Sequence, residues 1–86
     1  MTQPLAGKHI LIVEDEPVFR SLLDSWLSSL GAITSLAEDG IDALEKMISI
    51  TPDLMICDIE MPRMNGLKLV EHLRNEGNQT PILVIS

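Results

Sequence analysis

The stretch MICDIEMPRMNG, residues 55–66, runs from apolar residues into a single aspartate and then through a proline, an asparagine and a glycine. The apolar run that ends at Asp58 is typical of a buried strand. An unpaired carboxylate is unfavourable there, because removing its charge from water costs several kcal/mol. The stretch therefore predicts a strand end at which something compensates the charge of Asp58.

Strands and helices alternate on both sides of this stretch. Short apolar runs rich in β-branched residues predict four strands, at residues 9–14, 32–36, 52–58 and 81–86. Apolar residues at helical spacing predict three helices between them, at residues 17–30, 39–50 and 66–75. Strands that alternate with helices are joined by right-handed crossovers in a parallel sheet, so the sequence predicts an α/β fold of the order βαβαβαβ.

Residues near the helix starts predict where each helix begins and which face it buries. Pro17 suits the first turn of a helix, and Asp39 and Asn65 can cap the second and third helices. Seven apolar residues of the first helix are expected to face inward: Val18, Phe19, Leu22, Leu23, Trp26, Leu27 and Leu30. In the second helix the expected inward residues are Ile41, Leu44, Met47 and Ile48.

Length, charge and cysteine content restrict the class of protein. Eighty-six residues are enough for one domain with a small core. The formal net charge of −7 disfavours nucleic acid and anionic membrane surfaces as partners, and no apolar run is long enough to span a membrane. The single cysteine excludes an internal disulfide and a Cys-rich zinc site, which favours a reducing, cytoplasmic location.

Three acidic residues lie at the ends of the predicted first and third strands. If these strands are neighbours, Glu14, Asp15 and Asp58 converge at the edge of the sheet where ligands bind. At about 4 Å and an effective dielectric near 20, each pair of like charges repels by roughly 4 kcal/mol. Mg²⁺ relieves this repulsion, and it typically takes one or two carboxylates while keeping several waters. The sequence thus predicts a Mg²⁺ site beside Asp58, which can accept a phosphoryl group as a nucleophile.

The motifs LIVEDE, DLMICDIEMPRMNG and TPILVIS resemble the receiver domain of bacterial two-component response regulators. They combine an acidic pair, a strand-ending aspartate, the MPxMNG pattern and a later strand that ends in serine. The resemblance covers essentially the whole chain. It implies a flavodoxin-like, doubly wound parallel sheet with the strand order 2-1-3-4, incomplete after the fourth strand. Residues 9–86 are then the N-terminal part of a receiver domain, preceded by a lead-in at residues 1–8.

The same resemblance implies a role for each residue of the site. Mg²⁺ is expected to bind Asp15, Asp58 and the backbone carbonyl of Glu60, with Glu14 acting largely through water. Asp58 is the expected phosphoacceptor, and Ser86 is the hydroxyl expected to turn toward the phosphoryl group. The phosphodonor is expected to be a histidine kinase or a small phosphorylated molecule. The domain is expected to promote only its own phosphoryl transfer and not to act as an enzyme.

Residues 1–32 and 53–75 resemble a narrower group of response regulators that act as adaptors for proteolysis. This resemblance implies delivery of the stationary-phase sigma factor of RNA polymerase to the ClpXP protease, modulated by phosphorylation, with anti-adaptor proteins as further partners. One alternative is the receiver domain of a DNA-binding transcriptional regulator. Another is a haloacid-dehalogenase-like phosphatase, which is disfavoured because that family expects a second aspartate where this chain has Glu60.

Ser86 ends the fourth predicted strand, and the chain is expected to be a fragment of a longer receiver. The family's lysine at the end of a fifth strand and its aromatic switch residue both belong beyond this position. An uncovered sheet face and an open edge strand are association hazards, so we expect the fragment to self-associate or to be marginally stable.

Some residues near the predicted site have simpler structural explanations. Glu14 and Asp15 can also help to cap the first helix and complement its dipole. Other residues are expected to be structural only: the loop residues Pro62 and Gly66, the unreactive core thiol Cys57, and the surface histidines His9 and His72.

Overall fold

Four strands and three helices alternate along the chain in this computed structural model, which describes residues 3–86. The elements are β1 (His9–Val13), α1 (Pro17–Ser29), β2 (Ile33–Ala37), α2 (Gly40–Lys46), β3 (Leu54–Asp58), α3 (Gly66–Asn75) and β4 (Ile82–Ile85). The strands form one parallel sheet in the order β2-β1-β3-β4. The predicted element order and strand order are therefore confirmed. The first two residues of the predicted lead-in, 1–2, lie outside the described residues.

The two central strands, β1 and β3, end side by side. Val13 lies opposite Cys57 in their parallel pairing. The next residue of each chain segment, Glu14 and Asp58 respectively, therefore emerges at the same edge of the sheet. This register brings residues that are far apart in the sequence to one place.

Alternate residues of β1 enter separate apolar layers on the two faces of the sheet. Leu11 and Val13 pack with residues of β3, α2 and α3, whereas Ile10 and Ile12 pack with β3 and with Leu27 of α1. All four of these apolar side chains are buried, and only His9 at the start of β1 is half-buried. A strand that is covered on both faces requires a continuous apolar run, which is why β1 is recognisable from the sequence.

Polar side chains cap the N-terminus of each helix. The side chains of Asp39 and Asn65 each accept a backbone N–H from three residues later, both at 2.9 Å, so the predicted caps of α2 and α3 are confirmed. α1 is capped by Glu16, whose carboxylate accepts a first-turn amide at 2.6 Å. The cap of α1 is therefore not Glu14 or Asp15, which leaves both available for the site.

The apolar face predicted for α1 is wider than the face that it buries. Leu27 is buried and Leu23 is half-buried against the sheet, but Val18, Leu22 and Trp26 are 66%, 61% and 59% exposed. These three exposed residues are spaced by four and form one row beside the buried stripe, because a helix that lies on a sheet contacts it along a single stripe. The expectation that Trp26 belongs to the core is wrong.

The helices are short, and α2 is shorter than predicted. It ends at Lys46 because residues 47–49 form turns. Ile48 therefore lies beyond the helical repeat and is 86% exposed, so its predicted inward position is wrong. Leu44 and Met47 pack against the core as expected. Among the helices of residues 3–86, none has the length and apolar character needed to cross a bilayer.

Both histidines have local structural partners. The His9 ring lies 2.8 Å from the Ser35 hydroxyl through Nε2 and is half-buried, not on the surface. The His72 ring lies 2.9 Å from the Glu76 carboxylate, one helical turn away. Each ring therefore has a structural explanation for its position.

Replacing Leu69 by alanine should destabilise the fold strongly, whereas the same change at Leu67 should not. Leu69 is fully buried on α3, and the loss of such a side chain costs about 2–5 kcal/mol. Leu67 is 61% exposed on the same helix, so its replacement should change the free energy of unfolding by less than about 0.5 kcal/mol. Urea unfolding followed by circular dichroism measures both changes. Equal losses in the two variants would contradict the assigned inner face of α3.

Candidate functional site

Three carboxylates meet at the carboxyl edge of the sheet. One oxygen from each of Glu14, Asp15 and Asp58 lies within 4.8 Å of the other two. Glu14 is buried, Asp58 is half-buried and Asp15 is exposed, so the cluster runs from the interior to the solvent. The structure thus brings together the three side chains for which sequence analysis predicted convergence. Parallel pairing of β1 with β3 is the cause.

This cluster is electrostatically unfavourable for three bare charges. Burial raises the pKa of Glu14 above its ordinary value, and the charges of Asp58 and Asp15 raise it further. A hydrogen bond from the Glu16 amide to the Glu14 carboxylate, 2.9 Å long, acts in the opposite direction. The balance favours a proton or a bound cation at the cluster.

A cleft of about 410 Å³ lies beside Asp58. Its lining residues are Asp58, Ile59, Glu60 and Ser86. Ser86 lines the cleft because β4 pairs with β3 so that Asp58 lies opposite Ile85, the residue before this serine. Glu60 is exposed, and its carboxylate is not a member of the three-residue cluster. The cleft leaves space beside Asp58 for a small bound group.

The loop between β3 and α3 approaches the site closely at Gly66. The Gly66 amide donates to the Ile59 carbonyl at 2.8 Å, and a Cβ at position 66 would overlap the carbonyl oxygen of Asp58. A residue without a side chain is therefore required at this position. The expectation that Gly66 shapes the loop is confirmed.

Two arginine contacts that hold the loops around the cluster were not predicted from the sequence. Arg20 Nη1 donates to the carbonyl of Glu14 at 2.7 Å and fixes the backbone where β1 ends. Arg63 donates to both carboxylate oxygens of Asp39, at 2.7 and 3.1 Å. These hydrogen bonds from Arg63 are the main reason why the pKa of Asp39 lies below its ordinary value. The only sequence signal for the contact between Asp39 and Arg63 was the acidic helix cap at Asp39, because a buried carboxylate requires a counter-charge.

Cys57 precedes Asp58 and is fully buried in β3. Burial, followed by the charges of Asp58 and Glu14, raises the pKa of the Cys57 thiol to about 12. The thiolate is the reactive form of cysteine, so this residue is unreactive at neutral pH. Its position next to Asp58 therefore does not make it part of the chemistry.

An acidic cluster at the ends of the two central strands of a parallel sheet, beside a cleft and a strand-ending serine, defines a receiver. The chain belongs to the response regulator receiver domain family, whose sequence model matches residues 10–86. It is 78% identical to the Regulator of RpoS of Escherichia coli K12 over all 86 residues, which span 26% of that protein. It is 42% identical to response regulator MprA of Mycobacterium ulcerans over 78 residues, which cover 91% of the chain and 34% of that protein.

A solved structure shares the fold. The response regulator TrrA from Thermotoga maritima, in complex with Mg²⁺ and BeF, matches with a TM-score of 0.78 and 39% identity over 90% of this chain and 65% of that chain. The chain thus spans about a quarter of the Regulator of RpoS and about two thirds of TrrA. The similarity to the Regulator of RpoS is much stronger than the similarity to MprA.

Replacing Asp58 by asparagine should stabilise the metal-free chain at pH 7. The substitution keeps the shape of the side chain and removes one of three like charges, whose pairwise repulsion at ~4 Å is about 1–4 kcal/mol depending on the effective dielectric. The pKa of Glu14 should also fall toward its ordinary value, because one of the charges that raise it is gone. Urea unfolding and NMR titration measure these two effects.

A matched control is Glu71→Gln, which makes the same charge change at an exposed position of α3. It should leave the pKa of Glu14 and the free energy of unfolding nearly unchanged. If Asp58→Asn were no more stable than the parent chain in the absence of divalent cations, the carboxylates would not repel one another as the geometry requires.

Proposed function

We propose that this chain is the phosphoacceptor part of a response regulator that acts as a phosphorylation-modulated adaptor for a sigma factor. Asp58 is the phosphoacceptor, and Glu14, Asp15 and Asp58 form the acidic pocket for Mg²⁺. The observation that carries this proposal is the convergence of the three carboxylates within 4.8 Å beside a cleft. Membership of the receiver family and the 78% identity to the Regulator of RpoS support it.

The donor set fits Mg²⁺. Oxygen ligands suit a hard cation, and Mg²⁺ is commonly bound by one or two carboxylates plus waters. Asp15 and Asp58 supply the direct carboxylates, and the exposed Asp15 leaves one side of the pocket open to water. Glu14, which is buried and already bonded to the Glu16 amide, acts through water. The remaining ligand is the backbone carbonyl of Glu60, a residue that lines the same cleft.

Phosphoryl transfer to Asp58 follows from this arrangement. An oxygen of the Asp58 carboxylate forms a bond to the phosphorus of the donor while the bond between phosphorus and the leaving group breaks, and the leaving group departs with that electron pair. The product at Asp58 is an acyl phosphate. When bound, Mg²⁺ neutralises the charge on the transferred oxygens. The Ser86 hydroxyl at the cleft then turns toward the phosphoryl group and donates a hydrogen bond to it.

The phosphodonor is a histidine kinase or a small acyl phosphate, as in the receiver family. In the whole protein, phosphorylation of Asp58 shifts the equilibrium between two states of a surface that binds the stationary-phase sigma factor. The sigma factor itself can move this equilibrium only by its differential affinity for the two states. We further propose that the whole protein delivers the sigma factor to the ClpXP protease and that anti-adaptor proteins oppose this delivery. The proposed location is the cytoplasm. These partners rest on the resemblance to the adaptor group and on the name of the 78% identical relative.

Incubation with acetyl phosphate and Mg²⁺ should add one phosphoryl group to Asp58. Intact-mass measurement detects the adduct, and peptide mapping after reduction with borohydride locates it. Asp58→Asn should abolish the adduct because the nucleophilic oxygen is lost. Asp53→Asn, a matched control directly before β3 at the opposite edge of the sheet, should be labelled like the parent. Labelling at another residue, or persistent labelling of Asp58→Asn, would refute the assignment of Asp58.

Phosphorylation of Asp58 should change the affinity of the whole protein for the stationary-phase sigma factor. Isothermal titration calorimetry with and without acetyl phosphate measures the change, and Asp58→Asn should bind with one affinity under both conditions. Identical affinities for phosphorylated and unmodified parent protein would contradict the adaptor proposal while leaving the phosphoacceptor assignment intact.

A further inference from the structure

We propose that Asp39 and Arg63 form a positioning latch that holds the β3–α3 loop in the shape required for Mg²⁺ binding. The inference rests on the proposed function, because it concerns the same metal site. It assigns a role to two residues outside the acidic cluster. Neither touches the expected cation, so both are positioning residues and not catalytic ones.

The first part of the latch is a two-point ion pair. Arg63 Nε donates to Asp39 Oδ2 at 2.7 Å, and Arg63 Nη2 donates to Oδ1 at 3.1 Å. The Asp39 side chain is only 3% exposed. Its Oδ1 also accepts the Asp42 amide at 2.9 Å, so the carboxylate is fixed to the first turn of α2. A planar guanidinium held at two points restrains both the position and the orientation of its residue.

The second part of the latch is a backbone contact at the neighbouring positions. The Gly40 amide donates to the Met64 carbonyl at 3.1 Å. A Cβ at position 40 would lie 2.8 Å from that carbonyl oxygen, so the two segments meet without room for a side chain. The β2–α2 connection therefore holds the β3–α3 loop through two adjacent pairs of residues.

The backbone conformation of Arg63 indicates that the β3–α3 loop is constrained at this residue. Arg63 has a φ of 61°, the only non-glycine residue with a positive φ among the described residues. The left-handed region is unfavourable for an arginine, so its neighbours must impose that conformation. The Met64 amide donates to the Pro62 carbonyl at 2.6 Å, which closes the turn across Arg63, and the ion pair with Asp39 fixes the side chain of the same residue.

The latch bears on the metal site through Glu60. The loop is fixed at one end by β3 and at the other by the latch, and Glu60 lies between them with only two residues separating it from Arg63. One of these two is Pro62, whose φ is fixed by its ring. The orientation of the Glu60 carbonyl is therefore set from both sides. Release of Arg63 would leave that carbonyl free to turn away from the cation.

The positive charge of Arg63 allows the latch to be tested by the direction in which the affinity for Mg²⁺ changes when this residue is replaced. Removing a cation from a chain that already has a net charge of −7 should, through long-range electrostatics alone, strengthen the binding of Mg²⁺. Loss of the latch should weaken it. Arg63→Gln therefore separates the two effects by the direction of the change.

The experiment is a titration of the chain with MgCl₂, followed by NMR through the amide shifts of residues 59–66. Asp39→Asn keeps the side-chain shape and the ability to cap α2 but loses the charge, and Arg63→Gln loses the fork. Each should raise the Kd for Mg²⁺ about tenfold, the size of effect typical when a residue that orients a ligand is lost. The double variant should be no weaker than either single variant, because the two residues act as one unit.

Lys46→Gln is the matched control. It also removes one positive charge, from the exposed Lys46–Asp42 pair of α2, and does not touch the loop. Its Kd for Mg²⁺ should be unchanged or slightly lower. Hydrogen exchange at the Gly66 amide should accelerate in Arg63→Gln and not in Lys46→Gln, which reports on the loop independently of the metal.

The outcomes separate this inference from the proposed function. A parent chain that takes up no Mg²⁺ would refute the metal site and the latch together. A parent chain that binds Mg²⁺, with Arg63→Gln and Asp39→Asn binding equally well, would refute the latch alone. If Asp39→Asn fails to fold, Arg63→Gln decides the question, because Arg63 is half-exposed and circular dichroism will show whether that variant retains the fold.

Discussion

The structure depends on a conflict between strand pairing and electrostatics at the ends of β1 and β3. In-register parallel pairing buries Val13 beside Cys57, and the same register forces Glu14 and Asp15 toward Asp58. Val13 and Cys57 cannot be buried in this register without bringing the acidic side chains together, because Glu14 and Asp58 are the next residues along the chain. A fold that holds like charges together in this way favours the binding of a cation wherever one is available.

The surroundings of the cluster restrain its parts separately. Arg20 fixes the backbone at the end of β1, while Gly66 allows the β3–α3 loop to return to within contact of Asp58. Glu16 occupies the helix cap, so the two preceding acidic residues are not used for that purpose. Each of these contacts involves backbone atoms, and none of them uses the carboxylate of Asp15 or Asp58.

The central strands and the acidic residues could be predicted from the sequence because both obey short-range rules. A fully buried parallel strand requires an apolar run such as residues 10–13, and a carboxylate directly after such a run is conspicuous. The bounds of α3 were predicted without error because Asn65 and Gly77 punctuate it on either side. The Asp39–Arg63 pair could not be predicted, since it joins two loops whose meeting depends on the packing of α2 beside α3. The buried face of α1 was also predicted wrongly because of tertiary packing. Helical spacing identifies every apolar row of a helix, but only the contact with the sheet determines which row is buried.

The exposed position of Trp26 determines what optical spectroscopy can report on this protein. The chain has one tryptophan and no tyrosine, so nearly all of its intrinsic fluorescence comes from an indole that is already 59% exposed in the folded state. Emission from that indole is a poor indicator of core collapse. It is instead a built-in sensor on the outer row of α1, where quenching or a blue shift would register any molecule that settles against Val18, Leu22 and Trp26.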